Sequence, residues 1–305
     1  MQGGQSGPRS FGQVMDAAFG IYTKRFLPLA KIAAFVWIPL ILALILIDLY
    51  RFADIAGNPR YIVGDTIRSL DESRILIGSI LLAVLYVIGF LLVVGASLRA
   101  SSQAYLGEPI DAGASFRFAA KQFPRMFWLA ILLTLFTGIA FVCLVIPGIY
   151  VSIVWILAMP ALLLEGRGGF KALGRSNDLV NGFWWRTFGV LLVVGIFTSI
   201  VGSLIPGLIN GAFDSTSKDN FTLWVVLTDI VSLMGYIFTG PLWAAAITVL
   251  YYDLRVRKEG FDLEMLVERI DEPGALGSPT EPQQTQPAFG SSQPPPSAPP
   301  PGSSG

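Results

Sequence analysis

The sequence predicts an all-α integral membrane protein: six transmembrane helices arranged as three hairpins, each preceded by an amphipathic interfacial helix. Three observations point to this class. Residues 126–164 carry no charged side chain, a run nearly twice the ~20 residues that cross a bilayer once. The segment must therefore cross, turn and cross back. The whole chain is 53% hydrophobic and only 14% charged, with a mean hydropathy of +0.62, whereas about a quarter of a soluble domain's residues are charged. Finally, a cluster of aromatic and basic residues recurs at the start of alternate apolar runs, where rings and cations favour the headgroup level.

Residues 1–8 are rich in Gly, Gln and Ser and are expected to be disordered. They contain no apolar core followed by a small-residue cleavage site, so the first membrane helix is expected to act as the insertion signal. Phe11, Val14, Met15, Ala18, Phe19, Tyr22 and Phe26 then fall at steps of three and four on one helical stripe. Such a stripe either lies in the membrane plane or packs against the protein's own helices. Apolar spans follow at about 26–50, 75–98, 126–146, 148–165, 184–206 and 222–251. Their lead-ins repeat: Tyr22-Thr23-Lys24-Arg25-Phe26, Phe123-Pro124-Arg125-Met126-Phe127-Trp128 and Phe183-Trp184-Trp185-Arg186-Thr187-Phe188. Two spans share an ending. Ile146-Pro147-Gly148 and Ile205-Pro206-Gly207 read as hairpin turns, where Pro147 and Pro206 stop a helix and Gly148 and Gly207 permit the reversal. Charged residues 51–74 and polar residues 214–220 read as loops. Residues 9–270 thus form the membrane domain, including a short helical candidate at Phe261–Ile270. Residues 271–305, dominated by Pro, Gly, Ser and Gln, have almost nothing apolar to bury and are expected to be a disordered tail.

Basic residues set the orientation. With the N-terminus inside, about three times as many lysines and arginines fall on the inner side as on the outer, which satisfies the positive-inside rule. The expected location is the bacterial cytoplasmic membrane, multi-pass, with both termini and the tail in the cytoplasm.

Composition also excludes chemistry. Lys and Arg number 21 and Asp and Glu number 21, so no bulk charge attracts nucleic acid. Histidine is absent, which removes the commonest general base and the commonest ligand of catalytic zinc. The single cysteine, Cys143, can form no internal disulfide. No phosphate-binding glycine loop and no nucleophile-with-base spacing is present. No catalytic residue, metal site or cofactor is expected.

Two sets of polar residues stand out. Asp229 lies about seven residues, ~10 Å, inside the sixth span. It is either a proton or cation site, or a neutral acid hydrogen-bonded within the bundle. Glu165 ends the fourth span, and Arg167, Lys171 and Arg175 come after it. These four form either an anionic-lipid headgroup site or topology-setting charge with a Glu165–Arg175 ion pair. Pro39, Pro160, Pro206 and Pro241 interrupt four spans, as prolines do at some transporter binding sites and in many ordinary membrane helices.

Several motifs, in this order, resemble the bacterial glycerophosphoryl diester phosphodiesterase membrane-domain family: Arg9-Ser10-Phe11-Gly12-Gln13-Val14-Met15-Asp16-Ala17-Ala18-Phe19; Ile146-Pro147-Gly148-Ile149-Tyr150 with Pro160 and Glu165; Ala172-Leu173-Gly174-Arg175-Ser176 with Leu179 and Gly182; and Tyr251-Tyr252-Asp253-Leu254-Arg255 with Glu259-Gly260-Phe261-Asp262-Leu263-Glu264. The resemblance covers about residues 9–270. It implies a multi-helix region that either is joined to a phosphodiesterase domain or stands alone. That catalytic domain is a soluble barrel using histidines, acids and a divalent metal; this chain has no histidine and no segment long enough to form it, so its activity is not carried over. The expectation is a non-enzymatic accessory or scaffold in contact with the bilayer and its anionic lipids. The alternatives are a small proton-coupled carrier using Asp229, or a membrane domain assisting a separate lipid phosphodiesterase.

Overall fold

A computed structural model describes residues 9–51, 72–212 and 221–260, all within one compact unit that spans residues 1–262. The termini expected to be disordered (1–8 and 271–305), the helix expected at 261–270 and most of the two loops expected on the outer side (52–71 and 213–220) lie outside the described residues. Every element described is helical: α1 (Phe11–Lys24), α2 (Phe26–Arg51), α3 (Glu72–Leu106), α4 (Ala112–Cys143), α5 (Val145–Val154), α6 (Ala158–Glu165), α7 (Phe170–Val180), α8 (Trp184–Ala212) and α9 (Phe221–Glu259).

Among the described residues, six stretches are long and apolar enough to cross a membrane, formed by α2, α3, α4, α5 with α6, α8 and α9. This is a multi-pass, all-α membrane protein in contact with lipid. Its outward apolar side chains fit that setting: Leu42, Leu76, Ile139 and Ile200 are among many exposed ones, as expected where hydrocarbon replaces water. Helix α9 is the axis of the bundle and packs on α8, α2, α3 and α1. At 39 residues it is about 58 Å long, well beyond the ~30 Å hydrocarbon layer. Its last turns therefore project past the bilayer and meet the other charged segments.

Local chemistry explains the boundaries. Ser10 caps α1 with a reciprocal box: its Oγ accepts from the Gln13 amide at 3.3 Å, and Gln13 Oε1 accepts from the Ser10 amide at 2.7 Å. Asp111 caps α4 by accepting from the Ala114 amide at 3.0 Å. Gly166 closes α6 in a left-handed conformation, φ 70°, which glycine adopts without a Cβ clash. Val14, Met15 and Ala18 of α1 and Ala172, Leu173, Ser176, Leu179 and Val180 of α7 are buried. Both amphipathic helices thus turn their apolar stripes onto the protein's own core.

The structure corrects the sequence reading at several places. The second lead-in is not a separate helix: Ala112–Lys121 forms the first turns of α4, because nothing between Asp111 and Pro124 ends the helix, and Pro124 lies within it. Pro147 and Gly148 are not the first hairpin turn. The reversal is at Leu144, extended at φ −163° and ψ 146°, and Pro147 sits in the first turn of α5, where its missing N–H would have had no partner. Gly148 instead permits close approach of α4, since a Cβ there would lie 2.5 Å from the Phe141 ring. Pro206 and Gly207 do not end a helix either; α8 runs through both to Ala212.

Of the four prolines expected to interrupt spans, only Pro160 adjoins a break, at residues 155–157. A proline ring clashes with the carbonyl four residues earlier, here that of Ile156. Ser176 of α7 repairs the interruption: its Oγ accepts from the Leu157 amide at 3.1 Å and donates to the Val154 carbonyl at 2.6 Å. Two backbone groups that would otherwise be unsatisfied inside the membrane are thereby paired.

Candidate functional site

The charged ends of α6 and α9, helix α7 and the starts of α1 and α8 converge on two carboxylates, the half-buried Glu165 and the buried Asp253. Glu165, at the C-terminus of α6, is the first. Its oxygens accept from Arg175 Nε of α7 at 2.9 and 2.8 Å, and Arg167 Nε lies 2.8 Å from Oε2. The Tyr251 hydroxyl of α9 donates to Glu165 Oε1, and Arg175 also pairs with Glu259. Arg255 bridges Glu165 at 3.8 Å and Glu259 at 3.2 Å. The bonds to Glu259 and Glu165 raise the proton affinity of the Arg175 guanidinium above its ordinary value, outweighing burial.

Asp253 is the second carboxylate and is fully enclosed. Oδ1 accepts from the Arg9 amide at 3.0 Å. Oδ2 accepts from Arg186 Nε of α8 at 3.1 Å and from Arg257 Nε at 3.0 Å. Both guanidiniums then return to the Arg9 carbonyl, Arg186 at 2.7 Å. Beside this knot the Tyr252 and Ser102 hydroxyls share a hydrogen bond at 2.6 Å, and the Tyr252 ring stacks on Tyr105 at 4.5 Å. A buried acid bonded to two cations and a backbone amide is held in one position, since removing a partner would strand charge in a low dielectric. The arrangement ties five helices together through paired charges.

Among the residues singled out from sequence, Glu165, Arg167 and Arg175 do meet. Lys171 does not join them: it is exposed one turn before Arg175 on α7 and makes no ion pair among the described residues. Asp229 stands apart in α9, with Oδ2 shielded and without a hydrogen-bond partner among the described residues. Asp48 of α2 lies close enough to act on it electrostatically. Asp253, Arg186 and Arg9 were missed as a site, although Arg9 and Asp253 both belong to the motifs behind the family resemblance. Those motifs also supply Glu165, Arg175, Ser176, Tyr251, Arg255 and Glu259, and the fold gathers them at one end. No group of three or more acids or cysteines that could hold a metal occurs among the described residues.

On the outside of the same end, Arg117, Lys121 and Arg125 recur every four residues along α4, all exposed, and the stripe continues to Trp128, 52% exposed. Neither Arg117 nor Lys121 has an acidic partner among the described residues. Cations spaced at four lie on one helix face, and here that face runs into the start of the apolar span.

Fold and charge distribution define a multi-pass helical membrane protein closed at one end by an ion-paired knot. The chain belongs to the family described as Domain of unknown function (DUF7847), which matches residues 66–254. No curated protein and no solved structure matches it.

Proposed function

We propose that the protein is a non-enzymatic accessory or scaffold of the bacterial cytoplasmic membrane, seated on anionic headgroups through α4, with both termini in the cytoplasm. The exposed Arg117-Lys121-Arg125 stripe leading into Trp128 carries this reading: three exposed cations and an indole at the edge of an apolar span match the chemistry of a phosphate-bearing interface. The buried knot supports it from within, because its arginines are already committed to fixing the helices. At about 1 kcal/mol per basic residue near an anionic surface, the stripe supplies roughly two orders of magnitude in lipid preference. Native mass spectrometry of the purified protein with phosphatidylglycerol and phosphatidylcholine tests it. The wild type should retain phosphatidylglycerol preferentially, and R117Q/K121Q/R125Q should lose most of that preference. Equal retention by both proteins would sink the assignment.

A second reading has its own observation. Asp229 Oδ2 and Thr228 Oγ1 are shielded yet unpartnered among the described residues, which suits a proton or cation carrier. Asp229→Asn separates the two. A scaffold should keep its insertion and its thermal stability within about 1 kcal/mol, and proteoliposomes should show no proton-coupled flux. A flux present in the wild type and lost in the variant would make the protein a carrier. The resemblance to phosphodiesterase membrane domains fits a third role, assisting a separate lipid-cleaving enzyme, and is compatible with the scaffold reading.

A further inference from the structure

We propose that the cavity between the spans is a binding site for a neutral lipid: an uncharged, mainly hydrocarbon molecule carrying a carbonyl or hydroxyl oxygen. The cavity has a volume of about 700 Å³, within the 300–1,000 Å³ typical of pockets that enclose a small organic ligand. It lies at middle depth, where α4 packs on α3 and α5 and makes no extended contact with α8 or α9. Trp37 of α2, Phe90 of α3, Trp155 at the α5–α6 break and Tyr236 of α9 form much of its wall, and no charged residue among those described lines it.

The few polar groups define the ligand's head. Ser97 lines the cavity, is 1% exposed, and its Oγ has no hydrogen-bond partner among the described residues. A hydroxyl left unpaired in such a place costs free energy that a ligand oxygen would recover. Three other lining hydroxyls are already committed as donors to their own helices: Ser152 to Gly148 at 2.7 Å, Thr198 to Val194 at 2.9 Å and Thr239 to Gly235 at 2.8 Å. Their oxygens can still accept. The site thus offers the shielded Ser97 donor, the further lining hydroxyls of Thr134 and Thr137, and several acceptors inside aromatic walls, which suits a carbonyl or hydroxyl and would leave any ion uncompensated. Access is from the side. Phe90 and Tyr236 line the cavity while 46% and 43% exposed, and at their depth the surrounding medium is hydrocarbon. This site shares no residue with the headgroup stripe or with Asp229, so it stands or falls independently of both readings above.

Photoreactive diacylglycerol, and phosphatidylglycerol bearing the same photoreactive chain, would be added to the purified full-length protein in detergent and the cross-linked peptides mapped by mass spectrometry. Diacylglycerol should label residues 152–160 preferentially. Gly240 lines the cavity and an added Cβ there meets nothing within 4 Å, so Gly240→Leu should fill the space without disturbing the backbone and lower labelling at least tenfold. Ser97→Ala should weaken binding about tenfold while leaving thermal stability unchanged or higher. Competition by a prenylated quinone would establish that molecule as an occupant within the same neutral class; its failure to compete, with diacylglycerol labelling intact, would establish the glyceride. Labelling spread over the outer surface and indifferent to Gly240→Leu would overturn the proposal. So would equal labelling of 152–160 by phosphatidylglycerol.

Discussion

Asp253 shares α9 with Arg257, four residues away, but its other partners are remote: Arg186 lies 67 residues off and the Arg9 amide 244. Asp253→Asn would keep the shape and remove the charge, leaving two guanidiniums around a neutral amide. Breaking a buried pair in this way costs ~3–5 kcal/mol, so the variant should unfold at markedly lower temperature in a detergent melt. The same loss from Asp253→Asn in an Arg186→Met background would show that the two residues are not coupled. The Glu165–Arg175 bond was legible in the sequence, because ten residues and a glycine turn are all that separate the pair. Asp253 was not, because nothing in a linear pattern indicates which distant cation meets a given acid. Only the fold brings the two together.

Prolines show what a sequence pattern reports about an element and what it leaves out. Pro147, Pro160 and Pro206 look alike in sequence, yet the first begins α5, the second adjoins a break and the third is accommodated within α8. The ring removes one donor and crowds one carbonyl; whether the helix then breaks depends on the other partners open to that carbonyl. At Pro160 the neighbouring groups find Ser176, nearly twenty residues downstream. At the α4–α5 hairpin the reversal instead depends on Gly148, which lies against the Phe141 ring. Gly148→Ala should therefore cost about 1–3 kcal/mol as an overpacked contact, read as a fall in melting temperature. Phe141→Ala in the same chain should recover much of that loss. Additive losses in the double variant would remove Phe141 as the cause.

The number of spans was readable directly from sequence, since length and hydropathy are local properties and lipid imposes a fixed thickness. The packing order was not, because an all-apolar helix presents no single face: α9 became the axis through contacts that hydropathy cannot rank. Orientation is testable on the whole protein. In a Cys143→Ala background, single cysteines at 52–71 and at 213–220 should react with an impermeant maleimide added outside intact cells, and cysteines in 271–305 should not. Labelling of either loop only after the inner face is opened would reverse the topology. The link between Arg9 and Asp253 also sets the timing of biogenesis. Helix α1 emerges from the ribosome first and can coil at once, but its acidic anchor and most of the surface it covers belong to α9, the last of the described helices to be made. Until α9 inserts, Val14, Met15 and Ala18 lack most of the surface that buries them. Docking of α1 is thus completed only when α9 is in place.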